Sequence, residues 1–240
     1  MDEENEAVCE QQAQQQDSAA AAAGSPVAGC DQQQQEQQHT FQGQEVLVQV
    51  LEQQQLLSER VKEELTMGQL YWQQERHICS QLASTQPGRE AMLTLAEIVA
   101  AHESKSFDYR VLHLLLHGLL RKPLDEALLA FMRLDEMLID IGDDLTDYED
   151  DVMANSFNIY RGYIHLYGKD APIKLAARIS HLEARRALLL GQLPVDLQHK
   201  VLKRQKEAAS EEGADKWVFP DPILDEPAYK RHVRQLEGSA

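Results

Sequence analysis

"DIGDDLTDYEDDV", residues 140 to 152, sets seven carboxylates in thirteen positions. An α-helix turns about 100° per residue. Placed on a helix running from 134 to 152, Asp140, Asp143, Asp144, Asp147 and Asp151 fall on one narrow stripe, and Glu136 extends it by a turn. Leu134, Met137, Leu138, Ile141, Leu145, Tyr148 and Val152 form a separate apolar face. That periodicity predicts a half-buried helix with its acids held at the edge of a core.

The crowding has an energetic consequence. Like charges four residues apart destabilise a helix by about 0.2–0.5 kcal/mol per pair. Glu136–Asp140, Asp140–Asp144, Asp143–Asp147 and Asp147–Asp151 are all such pairs. Residues 123 to 151 hold eleven acids and one base, Arg133. Three readings fit. A hard divalent cation takes oxygen ligands, and magnesium in particular takes one or two carboxylates with phosphate oxygens and water. A solvated face needs no ligand. A basic neighbour would neutralise the stripe, and residues 174 to 206 supply eight bases against Glu183 and Asp196. A calcium loop is excluded. Counted from Asp140, Gly142 stands where the third-position oxygen ligand belongs, and Leu145 where the sixth-position glycine belongs.

Outward from this stretch the chain reads as helix after helix. Apolar residues recur at helical spacing from Val46 through Leu70, predicting a long helix, broken near Gly68 and ending before Pro87-Gly88. Ser106 is placed to cap "FDYRVLHLLLHGLL", Pro123 to open the acidic helix, and Asp170 with Pro172 to start the next. Gly191 and Pro194 punctuate the last. No strand alternation competes. The prediction is an all-α domain of about seven helices within residues 43–212. Residues 1–42, with five consecutive alanines and a run of four glutamines, lack apolar periodicity and read as a disordered Gln/Ala-rich tail. Residues 213–240 carry "WVFPDPILDEP", predicting an extended strap that lays Trp217 and Phe219 on the helical body, followed by a short helix.

Composition narrows the function classes. A net charge of −17 and the lack of a basic stripe argue against nucleic acid as a partner. Three widely spaced cysteines give neither a disulfide framework nor a zinc spacing. The acidic start "MDEENEAV" is unlike a signal peptide, and no run of apolar residues is long enough for a membrane span. The expectation is a soluble protein of the cytoplasm or nucleus, not secreted, its oligomeric state unknown.

An all-α body with aspartates at this spacing resembles the class I isoprenoid (terpenoid) synthase superfamily. "DDLTD", Asp143 to Asp147, matches that family's DDxxD pattern. "DDLTDYEDD" is also similar to its second metal motif, with Asp147 and Asp151 where that motif has Ser/Thr and Glu. The resemblance implies a reduced isoprenoid-synthase fold in which Asp143, Asp144, Asp147 and Asp151 hold Mg2+, and through it a prenyl diphosphate. Arg161, and Arg110 in "FDYR", are the candidate diphosphate-binding residues. The family uses two motifs on facing helices, and this chain presents one, so catalysis is not implied. The alternative is a non-catalytic helical interaction protein whose acidic face binds a basic partner. Arg161 has its own alternative, an ion pair with Asp151 or Asp147 if the helix continues through "NSFNIYRGYIHLYG". His113 and His117, four apart, share a helix face but lack a third zinc ligand in sequence.

Overall fold

The computed structural model describes residues 45–84, 92–212 and 217–238. The expected tail at 1–42 lies outside the described residues. Helices make the fold: α1 (45–53), α2 (Glu59–Ala83), α3 (Leu95–Ser104), α4 (Phe107–Leu119), α5 (Glu126–Thr146), α6 (Tyr148–Ala154), α7 (Ile159–Tyr167), α8 (Ala171–Leu190), α9 (Val195–Glu212) and α10 (Glu226–Glu237). A turn of 3-10 helix, Gly168–Asp170, links α7 to α8. No strand occurs among the described residues. The all-α class read from the periodicity is the class observed.

Two apolar clusters share the interior. One is built on the apolar face of α5 and on α6, α7 and α8, with Ile141, Tyr148, Val152, Tyr160, Leu175 and Ile179 at its centre. The other joins α1, α2 and α4 around Val61, Trp72, Ile78, Phe107 and Leu114. Helix α3 stands between them, giving Ile98 to the first and Ala101 to the second. The acidic helix therefore packs as its apolar face dictates, with Ile141 fully buried and its carboxylates along the rim.

Three boundaries differ from the sequence expectation, each for a local reason. The N-terminal arm breaks at residues 54–58 and not at Gly68. Gln55 takes a left-handed φ of 57°, and Ser58 then caps α2 by accepting from the Val61 amide. Gly68 sits inside α2 because the Phe107 ring lies on it; a Cβ there would come within 2.3 Å of that ring. The acidic helix is not one piece from 134 to 152. Thr146 ends α5, Asp147 forms the bend, and α6 starts at Tyr148. Nor does it run on to Arg161. Asn155 turns left-handed at φ 61°, a conformation asparagine tolerates better than most residues, and Asn158 caps α7 afresh.

Caps account for other starts. Thr94 and Glu97 form a reciprocal capping box on α3. Asp125, two residues beyond Pro123, caps α5 by accepting from the Ala127 and Leu128 amides. Pro172 lies in the first turn of α8, although Asp170 makes no side-chain cap bond there.

The C-terminal strap lies on the body as the sequence predicts. Trp217, Phe219, Ile223 and Tyr229 pack partly buried against the first cluster. The Trp217 indole donates to Glu183 at 3.1 Å, the Tyr160 hydroxyl to the Pro220 carbonyl at 2.9 Å, and the Ile223 amide to the Tyr148 hydroxyl at 3.0 Å. Among the described residues, no helix is long and apolar enough to cross a membrane.

Candidate functional site

The turn between α3 and α4 places Lys105 and Ser106 over the acidic rim of α5. Lys105 Nζ donates to Asp144 Oδ1 at 2.6 Å. Asp144 is 1% exposed, and its second oxygen accepts from the Ile159 amide at 2.6 Å. The Ser106 hydroxyl, expected to cap α4, lies instead 2.9 and 2.8 Å from the two oxygens of Asp140. Asn158 completes the set. Its amide nitrogen donates to Asp151 Oδ2 at 2.7 Å and to the Asp144 carbonyl at 2.6 Å, while its oxygen accepts from the Arg161 amide. The cap of α7 is thus also the clamp between α5 and α6.

Electrostatics follow from this geometry. Burial works against the Lys105 charge, but Asp144, Asp140 and Asp151 outweigh it and hold the ammonium well above the ordinary lysine range. One ammonium does not offset three carboxylates. Burial pushes Asp140 up to about 6; Lys105 and Ser106 oppose the shift, and Asp144 and Asp143 add to it. Asp151 is also raised to about 6, chiefly by burial and then by Asp144 and Asp147, against Asn158 and Lys105.

The four expected metal ligands are therefore divided. Asp144 is internal, bonded by Lys105 of the α3–α4 turn and by the Ile159 amide of α7, and Asp151 is half-buried, bonded by the α7 cap Asn158. Asp143 and Asp147 stand exposed, with Asp147 at the bend. Among the described residues no group of three or more His, Cys, Asp or Glu side chains is arranged to hold a metal ion.

Both candidate diphosphate-binding arginines face carboxylates. Arg161 is 1% exposed and grips Glu226 of α10 with Nε and Nη2, each at 2.7 Å. Its remaining contacts are the Ser156 carbonyl at 3.0 Å and Asn155 Oδ1 at 2.7 Å. The alternative pairing with Asp151 or Asp147 required an unbroken helix, and the turn at Asn155 removes it. Arg110 is buried between Glu64 at 2.8 Å and Glu136 at 3.1 Å. Burial raises Glu136 to about 7, against the pull of Arg110.

This arginine borders a cleft of about 200 Å³ between α2, α4 and α5, whose walls include Arg60, Glu64, His113, Arg133 and Glu136. Asp143, Asp144, Asp147 and Asp151 do not line it. The basic helix α8 packs along α5, yet it reaches the acids upstream of the ladder: Arg186 pairs with Asp135, and Arg178 with Glu103 of α3 at 3.2 Å. His113 and His117 lie with ring centroids 4.7 Å apart, and His117 Nδ1 is 3.1 Å from the Pro123 carbonyl.

Sequence reasoning passed over Lys105 and Glu226, the partners that organise this region. The available signal for Lys105 is its isolation: it is the one lysine or arginine between Met92 and Tyr109, and it lies between two helices. Searched against known proteins, the chain matches no family model, no curated protein and no solved structure.

Proposed function

We propose that this is a non-catalytic helical interaction protein, built on an isoprenoid-synthase-like acidic helix whose inner carboxylates are bonded from within by Lys105, Ser106 and Asn158. The outer acids, Asp143, Asp147 and Asp150, then dock a basic protein partner. One observation carries the reading: Lys105 Nζ sits 2.6 Å from Asp144 and is held charged by Asp144, Asp140 and Asp151, so the inner carboxylates already face a cation of the chain's own. Magnesium fits poorly beside it. Both Asp144 oxygens already accept from donors, Ser106 engages both oxygens of Asp140, and an ammonium repels a divalent ion. Arg161 and Arg110 are also committed to Glu226, Glu64 and Glu136, which leaves a diphosphate without either of its expected partners.

The exposed acids suit a partner that brings positive charge to a rigid helix bend. Such contacts act chiefly on encounter rate and specificity, and weaken with salt. The prenyl diphosphate reading keeps one point in its favour. Lys105 brings one positive charge to the three carboxylates of Asp140, Asp144 and Asp151, which leaves net negative charge among them. Two titrations decide between the readings. A lysine-rich peptide should bind with salt-dependent affinity that is lost in Asp143→Asn with Asp147→Asn and Asp150→Asn. Magnesium with farnesyl diphosphate should give no saturable heat. Saturable heat lost in Asp143→Ala with Asp147→Ala would reverse the choice.

A further inference from the structure

Helix α4 buries one face and leaves the other bare. Phe107, Arg110, Val111 and Leu114 face the interior. On the opposite side stand Tyr109, Leu112, Leu116 and Leu119, followed by Leu120 just past the helix end, each between 51% and 65% exposed. Their spacing of three and four residues makes one continuous stripe along the helix. Single exposed leucines are ordinary; an unbroken row of large apolar side chains marks a contact surface.

The charges at its two ends indicate what covers it. Asp108 is exposed at the start of α4, and Arg121 and Lys122 are exposed immediately beyond its end. Turn a second α4 end for end about the midpoint between Leu114 and Leu115. Asp108 then stands at the end of the second helix where Arg121 and Lys122 leave it, and Tyr109 meets Leu120. Leu112 and Leu116 close around the axis. The register that pairs the charges is the same register that pairs the apolar residues. Antiparallel macrodipoles favour the same arrangement.

We infer that α4 forms a twofold, antiparallel interface with a second copy of this chain. In such an isologous contact each complementary pair occurs twice, so one stripe supplies both halves. A single helix face covers less than the roughly 800 Å² per partner of a standard interface. Association through it is therefore concentration-dependent, an equilibrium between monomer and dimer. This inference is independent of the acidic ladder on α5 and α6.

Sedimentation velocity on the full chain across a concentration series tests it. The expected result is a monomer–dimer equilibrium that disappears in Leu112→Glu with Leu116→Glu; both sites are exposed, so circular dichroism should not change. Asp108→Lys alone weakens the dimer by about tenfold or more. Combining it with Arg121→Glu and Lys122→Glu restores association. A chain that stays monomeric at every concentration, as it would if another segment or a different protein covered the stripe, overturns the inference. So does a dimer indifferent to the leucine variants, or a charge reversal that fails to restore it.

Discussion

Lys105 Nζ donates to Asp144 Oδ1 across 2.6 Å, joining the α3–α4 turn to the acidic helix at a carboxylate that is almost wholly buried. The pair is asymmetric: Asp144 is enclosed, while Lys105 keeps part of its side chain in water. Removing one member of a buried pair leaves the other charge uncompensated, at a cost of about 3–5 kcal/mol. Lys105→Met is therefore expected to lose stability of that order in urea unfolding. Adding Asp144→Asn removes the stranded charge and keeps an acceptor for the Ile159 amide, so the double variant recovers much of the loss.

The pH dependence has a definite sign. Burial holds the Asp151 carboxyl at about 6 in the folded chain, above its ordinary value of 3.8. Between those values the folded state binds more protons, so this group's contribution to stability falls as pH rises and levels off above about 6. Asp140 acts alike over the same window. His102 opposes them: burial depresses it to about 3, so its contribution is lost as pH falls from 6.5 towards that value. The difference between variants separates the effects. Asp151→Asn should raise the melting temperature relative to the native chain more at about pH 7.5 than at about pH 4.5.

Glu226 is the anchor of the C-terminal strap, because Arg161 behind it is fully enclosed. Glu226→Ala strands the guanidinium and is expected to cost about 3–5 kcal/mol. Hydrogen exchange locates the effect. The Ile223 amide, which donates to Tyr148, should lose protection before the amides of α8 do.

Gly68 tests the packing of α2 on α4. An added methyl would overlap the Phe107 ring at 2.3 Å. Overpacking of this kind costs about 1–3 kcal/mol. Thermal unfolding should show Gly68→Ala destabilised, and the same substitution nearly neutral once Phe107→Leu has made room.

Where the sequence was legible and where it was not follows the range of the forces involved. The apolar face of Leu134 to Val152 is a local pattern, and it placed α5 and α6 against the core. The strap was equally visible in its prolines and aromatic residues. The same helical period hid the bend at Asp147 and the turn at Asn155, since the apolar spacing continues through both. Gly68 suggested a break because glycine weakens an isolated helix; the reason it stays helical is Phe107, distant in sequence. Lys105 and Glu226 escaped for the same cause. An ion pair spanning 39 or 65 positions leaves no periodic trace, and only the folded chain brings its members together.

The central claim is that the ladder carries its own cation. Calorimetric titration of the native chain with magnesium and farnesyl diphosphate, beside Lys105→Ala, tests it most directly. The prediction is no saturable heat from the native chain, and magnesium binding only once the ammonium is gone. Saturable binding by the native chain, lost in Asp143→Ala with Asp147→Ala, would contradict it.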